Sequence, residues 1–465
     1  MSKLVIISNR VASAAEGKRS AGGLAVGVLD ALKRQDGLWF GWSGKVEEEA
    51  DNEVAFHRIG RIDCATTGLS RKEYDDYYRG FSNGTLWPAF HYRIDLSRYD
   101  KREYAGYLAV NERMARLLQP LVDPDDRLWV HDYHMIPFAR ACRRLGMRNR
   151  IGFFLHIPFP AEGVLRTIPP NRDLVQAMCD YDLLGFQTRG DARCFLDYAT
   201  RHLGLPLENG SVLRCANGHG VRVGHYPIGI LPEDIQEQAG SNRGAHLVAT
   251  LKEGLQERKL VISVDRLDYS KGMVERFNAY ERLLESVPSH RGKVSLLQIA
   301  PSSRSDVEGY RHIRRQLEST AGHINARWTE LSWTPIRYMN RTYERAELLS
   351  LFRASQVGFV TPLRDGMNLV AKEYVAAQDE EDPGALVLSE FAGAADELSD
   401  GAIIVNPYDL DAMARALDRA LGMPLAERKE RHGVMLRGLR EHSIREWRDR
   451  FLADLDRPSA DARPT

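Results

Sequence analysis

Residues 360 to 378, VTPLRDGMNLVAKEYVAAQ, run from an apolar strand end through a Gly-containing polar turn into a helix start. The first N–H groups of a helix lack intrahelical acceptors and its dipole end is positive. A diphosphate above Leu369 and Val370 would therefore be held by backbone alone. Glu373 shares a helix face with Leu369, where its carboxylate can accept from the two hydroxyls of a ribose or simply stand in solvent. On the turn, Asp365, Gly366 and Met367 offer a carboxylate and backbone amides to a polyol such as a hexose. A second strand end carries cations: KLVISVDRLDYSKG, residues 259 to 272, leads to Arg266 and Lys271, with Gly272 ahead of the next helix. Alone this is a soluble basic loop. Beside the first segment, an Arg fork and a Lys point charge are what a departing nucleotide diphosphate needs when no Mg²⁺ takes up its charge.

Short apolar strands alternating with amphipathic helices must position these groups, a pattern that predicts parallel α/β sheets built from βαβ units. KLVIISN, RLWVHDY, RIGFFLHI and DLLGFQT read as strands of a first half. KLVISV, VSLLQIAP, VGFVTP, ALVLSE and AIIVNP read as strands of a second. Helical spacing is carried by Leu24, Val28 and Leu32, by Leu348, Leu349 and Phe352, and near the end by Trp447, Phe451 and Leu455. YPIGILPED, residues 226 to 234, combines prolines and glycine after a strand and marks a boundary. Periodicity alone does not separate two domains from one large doubly wound sheet.

A chain of 465 residues is long enough for two or three domains. Its 64 basic and 64 acidic side chains cancel, which argues against a nucleic-acid or anionic-membrane partner and makes any anion binding local. Five widely spaced cysteines (Cys64, Cys142, Cys179, Cys194, Cys215) form no CxxC pair and read as reduced. Only four apolar residues follow MSK, and no stretch is long and apolar enough to span a bilayer, so a soluble cytoplasmic protein is expected.

RLDYSKG and PLRDGMNLVAKEY together resemble the retaining glucosyltransferases of the trehalose-6-phosphate synthase family, glycosyltransferase family 20. The likeness continues in order through SNR, AGGL, YYRGFSNGTLWPAFHY, WVHDYHMIPF, GFFLHIPFP, YDLLGFQT, YPIGI and IAPSSR; only the termini and residues 205 to 222 look individual. It implies an α/β GT-B fold, two Rossmann-like domains facing each other across a cleft. An acceptor domain would occupy residues 1–232 and a nucleotide-sugar domain residues 233–440. A C-terminal helix at 441–457 would return to the first domain, ahead of a disordered tail at 458–465.

The N-terminal half adds acceptor chemistry. Residues 11–21, between Arg10 and the Gly22–Gly23 pair, read as a mobile lid over phosphates. The resemblance assigns Arg10, Tyr78, Trp87 and Arg304 to a glucose 6-phosphate pocket, with Trp87 offering a flat face to the pyranose ring and filtering its anomer. It puts Asp132 on the sugar hydroxyls and Gly22 and Gly23 by the nucleotide phosphate. His156 falls beside the donor glucose, with a core histidine as the other reading, and Ile157 helps select the α-anomer. Tyr343 lies near the uracil and Asp365 against the glucose hydroxyls. The donor set is completed by Gly366, Met367, Asn368, Leu369, Val370, Ala371, Lys372 and Glu373. The catalytic set is Asp132, His156, Arg266, Lys271 and Asp365.

His131, Asp132 and His134 have types that bind metal, but neighbouring strand residues point to opposite faces, so a shared ion would need a sharp turn there. Asp180 and Asp182 read as capping or turn residues, and no metal or cofactor is expected. No carboxylate pair for double displacement stands out. The expected reaction is a front-face transfer of glucose from a nucleoside-diphosphate glucose, UDP-glucose first, to glucose 6-phosphate. A same-fold enzyme acting on another phosphorylated acceptor such as glycerol 3-phosphate, or a catalytically silent sugar-phosphate-binding regulator, is the alternative. A homodimer or homotetramer is expected, with a separate phosphatase as the next enzyme of the route.

Overall fold

The computed structural model of the chain describes residues 2–11, 37–49, 52–215, 218–302 and 308–457. Gly22, Gly23, Arg304, the segment read as a lid beyond residue 11, the Leu24–Val28–Leu32 stripe and the tail at 458–465 lie outside them. Two compact units divide the chain: the first is Met1–Ile228 with Ile444–Thr465, the second Gly229–Ser443.

Among the described residues the first unit holds ten strands: β1 (Leu4–Arg10), β2 (Gly37–Glu47), β3 (Ala55–Ile59), β4 (Ile62–Ser70), β5 (Arg127–His131), β6 (Arg150–Phe154), β7 (Leu183–Phe186), β8 (Leu207–Glu208), β9 (Val212–Arg214) and β10 (Gly220–His225). They are ordered β3-β4-β2-β1-β5-β6-β7-β10-β9-β8, and all pair in parallel except β3, β8 and β9 at the two edges. The second unit holds β11 (Lys259–Val264), β12 (Val294–Ile299), β13 (Ile336–Met339), β14 (Val357–Val360), β15 (Ala385–Ser389) and β16 (Ile403–Val405), all parallel in the order β13-β12-β11-β14-β15-β16. Every residue of β12 and β15 is buried, as strands covered by helices on both faces must be.

The strands β2, β3, β4, β8, β9 and β13 were not expected from the sequence, whereas β10 is the strand expected ahead of YPIGILPED. In β2, three glycines among polar residues obscure any alternation, and pairing of Trp39 and Phe40 with β1 and β4 decides the conformation. The C-terminal helix also differs: it starts at Ile444, not near residue 440, after a separate helix Leu425–Glu441 that stops at His442.

Helix Ile444–Asp456 closes the first unit's sheet. Phe451 stacks 4.8 Å from Trp129, and Trp447 lies 4.9 Å from the same ring. Phe451 reaches the sheet because Gly152 and Gly185 lie beneath it; a Cβ at either would stand 2.8 or 2.7 Å from the ring. Arg127 to Asp456 (2.9 Å) and Tyr226 to Asp454 (2.7 Å) tie down the helix end. Phe451→Ala is expected to cost about 3–5 kcal/mol by leaving a cavity over two glycines. Denaturant unfolding checks this, and a cost below about 1 kcal/mol would mean the helix adds little to the unit.

Candidate active site

In the second unit, two loops at the carboxyl ends of β11 and β14 are joined by side chains. Lys271 donates its ammonium to the Asp365 carboxylate, which also accepts from Asn368 Nδ2 at 3.0 Å. Asn368 stands at φ 73° as the N-cap of helix Leu369–Ala377, and its Oδ1 accepts from the Ala371 amide at 3.2 Å. One chain of contacts thus runs from the cation to the helix start. The loops also meet through the main chain, where Leu363 N–H donates to Ser270 O at 2.8 Å.

Arg276 holds this arrangement from beneath. Fully buried, it donates to Asp265 (2.8 Å), Gln298 (2.8 Å), Thr361 (3.1 Å) and the Lys271 carbonyl (3.1 Å). Burial pushes the Asp265 carboxyl up, and the Arg276 guanidinium pulls it back toward its charged form. The sequence reading missed Arg276; a basic residue among Met273, Val274 and Phe277 on a buried helix face was the signal. Gly272 is required twice over: its φ is +63°, and a Cβ would collide with the Thr361 carbonyl.

Arg266 is exposed, 3.7 Å from Asp268, whose buried carboxylate caps Ser270 (3.0 Å) and accepts from Tyr310 (3.0 Å). Leu369 and Val370, half-buried, are the first helical residues, whose N–H groups have no acceptor within the helix. Gly366 and Met367 lie buried on the turn, packed against Gly393 and Ala394. Glu373 is not a solvated acid: it pairs with Arg345 at 2.9 Å, and burial raises its pKa while Arg345 opposes the rise. Tyr343 is buried beneath the Arg341 guanidinium, 4.4 Å from its centroid. Two further members of the donor set are buried. Lys372 is wholly buried and its ammonium turns onto Glu397, and Ala371 is buried as well.

In the first unit, YDDYYRGFSNGTL (Tyr74–Leu86) winds as a wide helix with i→i+5 bonding, a form concentrated at functional sites. It carries Tyr78, half-buried against Trp42 (5.5 Å), Tyr74 (5.3 Å) and His134 (5.8 Å). Arg10 ends β1, its guanidinium beside Gly44, where a Cβ would come within 2.9 Å. Trp87 is 4% exposed and packs on His91 (4.1 Å) and Tyr133 (5.6 Å). Little of its ring is exposed in this structure.

Asp132 follows β5 at φ 75°, ψ 165°, a region costly for any residue but glycine. The backbone does turn sharply there. The turn sets its carboxylate to accept from the His156 amide at 3.3 Å, while His131 and His156 share a hydrogen bond of 3.0 Å between their rings. Burial holds both imidazoles neutral, His156 at about 3 and His131 well below the usual range, where His156 adds to the effect. Ile157 is buried beside them. Asp180 and Asp182 are engaged by Arg140 (2.8 Å) and Arg143 (2.9 Å). Among the described residues no three His, Cys, Asp or Glu side chains group as metal ligands, and no helix is long and apolar enough to cross a membrane.

Residues 3–457 match the family model described as glycosyltransferase family 20. The chain belongs to that family and is a glycosyltransferase. It is 52% identical over 457 residues to the trehalose-6-phosphate synthase of Enterobacter sp. (strain 638), covering 98% of this chain and 96% of the relative. The crystal structure of an alpha,alpha-trehalose-phosphate synthase (UDP-forming) from Burkholderia vietnamiensis superposes with a TM-score of 0.97 at 56% identity, over 100% of this chain and 99% of that one. The Burkholderia xenovorans counterpart in complex with glucose-6-phosphate does so with 0.94 at 56%, over 97% and 99%. The GT-B class expected from the sequence is the fold of the chain.

A histidine buried neutral has a depressed folded-state pKa. Between about pH 6.5 and 5 the unfolded chain takes up the proton and the folded chain does not, so stability falls with pH by at most about 1.4 kcal/mol per unit for one such group. His156→Gln is expected to flatten that slope in chemical denaturation run across the window. An unchanged slope would show that the pair is not neutral in the folded protein.

Proposed function

We propose that the protein transfers the glucosyl group of UDP-glucose to the anomeric hydroxyl of glucose 6-phosphate, with retention, forming trehalose 6-phosphate and UDP. The bond from the donor anomeric carbon to the phosphate oxygen breaks, and a bond to the acceptor oxygen forms on the same face. The acceptor proton passes to the departing phosphate. On this reading the protein's task is to position two sugars and to stabilise the charge that develops on the leaving diphosphate. What supports it most is the Lys271–Asp365–Asn368 chain at a helix start, in a chain whose relatives are trehalose-phosphate synthases.

Lys271 has three donors, and the Asp365 carboxylate occupies one. The others, with Arg266 and the amides of Leu369 and Val370, meet the diphosphate. Asp365 takes the glucose hydroxyls, Glu373 the ribose, and Tyr343 lies by the base. Arg10, Tyr78 and Arg304 take the acceptor phosphate, the first two from the first unit, and Asp132 accepts from the attacking hydroxyl. Neutral His156 donates to the donor glucose, and Trp87 and Ile157 shape the pocket for one anomer. No metal enters this scheme. A cytoplasmic setting suits five cysteines outside any disulfide, and the phosphate ester of the product calls for a separate phosphatase next.

The test offers UDP-, GDP- and ADP-glucose, each with glucose 6-phosphate, glycerol 3-phosphate or buffer, and follows nucleotide release. Release from UDP-glucose that requires glucose 6-phosphate is expected, and Lys271→Ala should lower kcat by about 10²–10³-fold. Release dependent on glycerol 3-phosphate would assign another acceptor. No release from protein that still binds both ligands would indicate a regulator. A glucosyl-enzyme seen by intact mass spectrometry with a fluorinated donor would replace the front-face step by double displacement.

A further inference from the structure

At the amino ends of β6, β7 and β10, the opposite end of the sheet from Asp132 and His156, lies a cavity of about 390 Å³. The five residues of β6 separate the two ends by roughly 17 Å. Arginines at positions 143, 148, 150, 222 and 457 line the cavity against Asp182 and Asp454, an excess of three arginines over carboxylates.

Two of these arginines are neutralised: Arg143 pairs with Asp182 at 2.9 Å and Arg457 with Asp454 at 3.1 Å. His219 lies 3.7 Å from Asp182 and contacts the Tyr181 carbonyl at 2.9 Å. The remaining three have no carboxylate partner among the described residues. Arg150 donates through Nη1 to the carbonyls of Leu455 (3.0 Å) and Arg457 (2.5 Å), and Arg222 through Nη1 to that of Asp454 (2.8 Å). Those carbonyls end helix Ile444–Asp456 and offset part of the charge, but they leave Nε and Nη2 of both forks for a ligand. Arg148 is exposed and makes no hydrogen bond or ion pair within the described structure.

Like charges held around one concavity repel unless an anion joins them, and guanidinium forks match phosphate oxygens two at a time. A phosphate monoester brings about −1.5 to −2, so three unmatched charges call for two phosphoryl groups. The volume suits a small molecule. We propose that this cavity is a second anion site of the protein, separate from the donor and acceptor groups, and that it binds small molecules carrying a diphosphate or two phosphates. The inference does not depend on the proposed transfer reaction.

Calorimetric titration of inorganic pyrophosphate into the full chain, at low salt and with UDP in excess to occupy the Arg266 and Lys271 groups, tests it. One binding event is expected, weakened by about tenfold or more in Arg148→Glu combined with Arg222→Gln and unchanged in Arg266→Ala. Arg148→Glu alone alters an exposed side chain without partners and so keeps the fold; it should weaken binding about threefold or more. Absence of binding, binding that the cavity variants leave within about twofold, or binding lost in Arg266→Ala would each overturn the proposal.

Discussion

The ion pair between Lys271 and Asp365 is the contact on which the second unit's site depends. It joins residues 94 positions apart, each side chain less than one-sixth exposed, and so fixes the loop after β11 to the loop after β14. Coulombic attraction at such depth is only modestly screened, yet each ion has lost most of its hydration, so the pair needs further hydrogen bonds to hold. Asn368 supplies one at the carboxylate, and Arg276 braces the Lys271 carbonyl from below. Because Asn368 also caps helix Leu369–Ala377, the ammonium and the positive helix end are positioned by one set of contacts.

The first unit solves a different problem with backbone strain. The wide helix Tyr74–Leu86 swings Tyr78 against His134, and the left-handed φ of Asp132 sets its carboxylate at the His156 amide. Such conformations cost about 1–3 kcal/mol each and persist where the surroundings over-determine them. Helix Ile444–Asp456 provides that support: Trp447 and Phe451 pack on Trp129, which adjoins His131, and His131 in turn holds His156. Neutral, buried imidazoles are suited to donate or accept single hydrogen bonds rather than to carry charge.

What the sequence made legible is what local chemistry decides. The helix start after GMN, the cation-bearing strand end at Arg266 and Lys271, and the principal buried strands of both sheets followed from residue type and spacing. Partners distant in sequence were not legible. Nothing near Lys271 names Asp365, nothing near Glu373 names Arg345, and the inward turn of Lys372 onto Glu397 is set by which helix face packs. Trp87 shows the limit of a resemblance: it places the residue in a pocket wall, but His91 and Tyr133 decide how much of the ring is left to touch. The wide helix was not legible either; in it Gly80 leaves room for Glu103 of the neighbouring helix, a contact distant in sequence.

Whether fixed protein cations alone carry the charge of the leaving diphosphate is tested most directly by single-turnover UDP release from metal-stripped protein, with UDP-glucose and glucose 6-phosphate in excess chelator. Release at the rate of untreated protein is the predicted result. A loss of about tenfold or more that added Mg²⁺ restores would contradict it and assign the diphosphate to a metal ion.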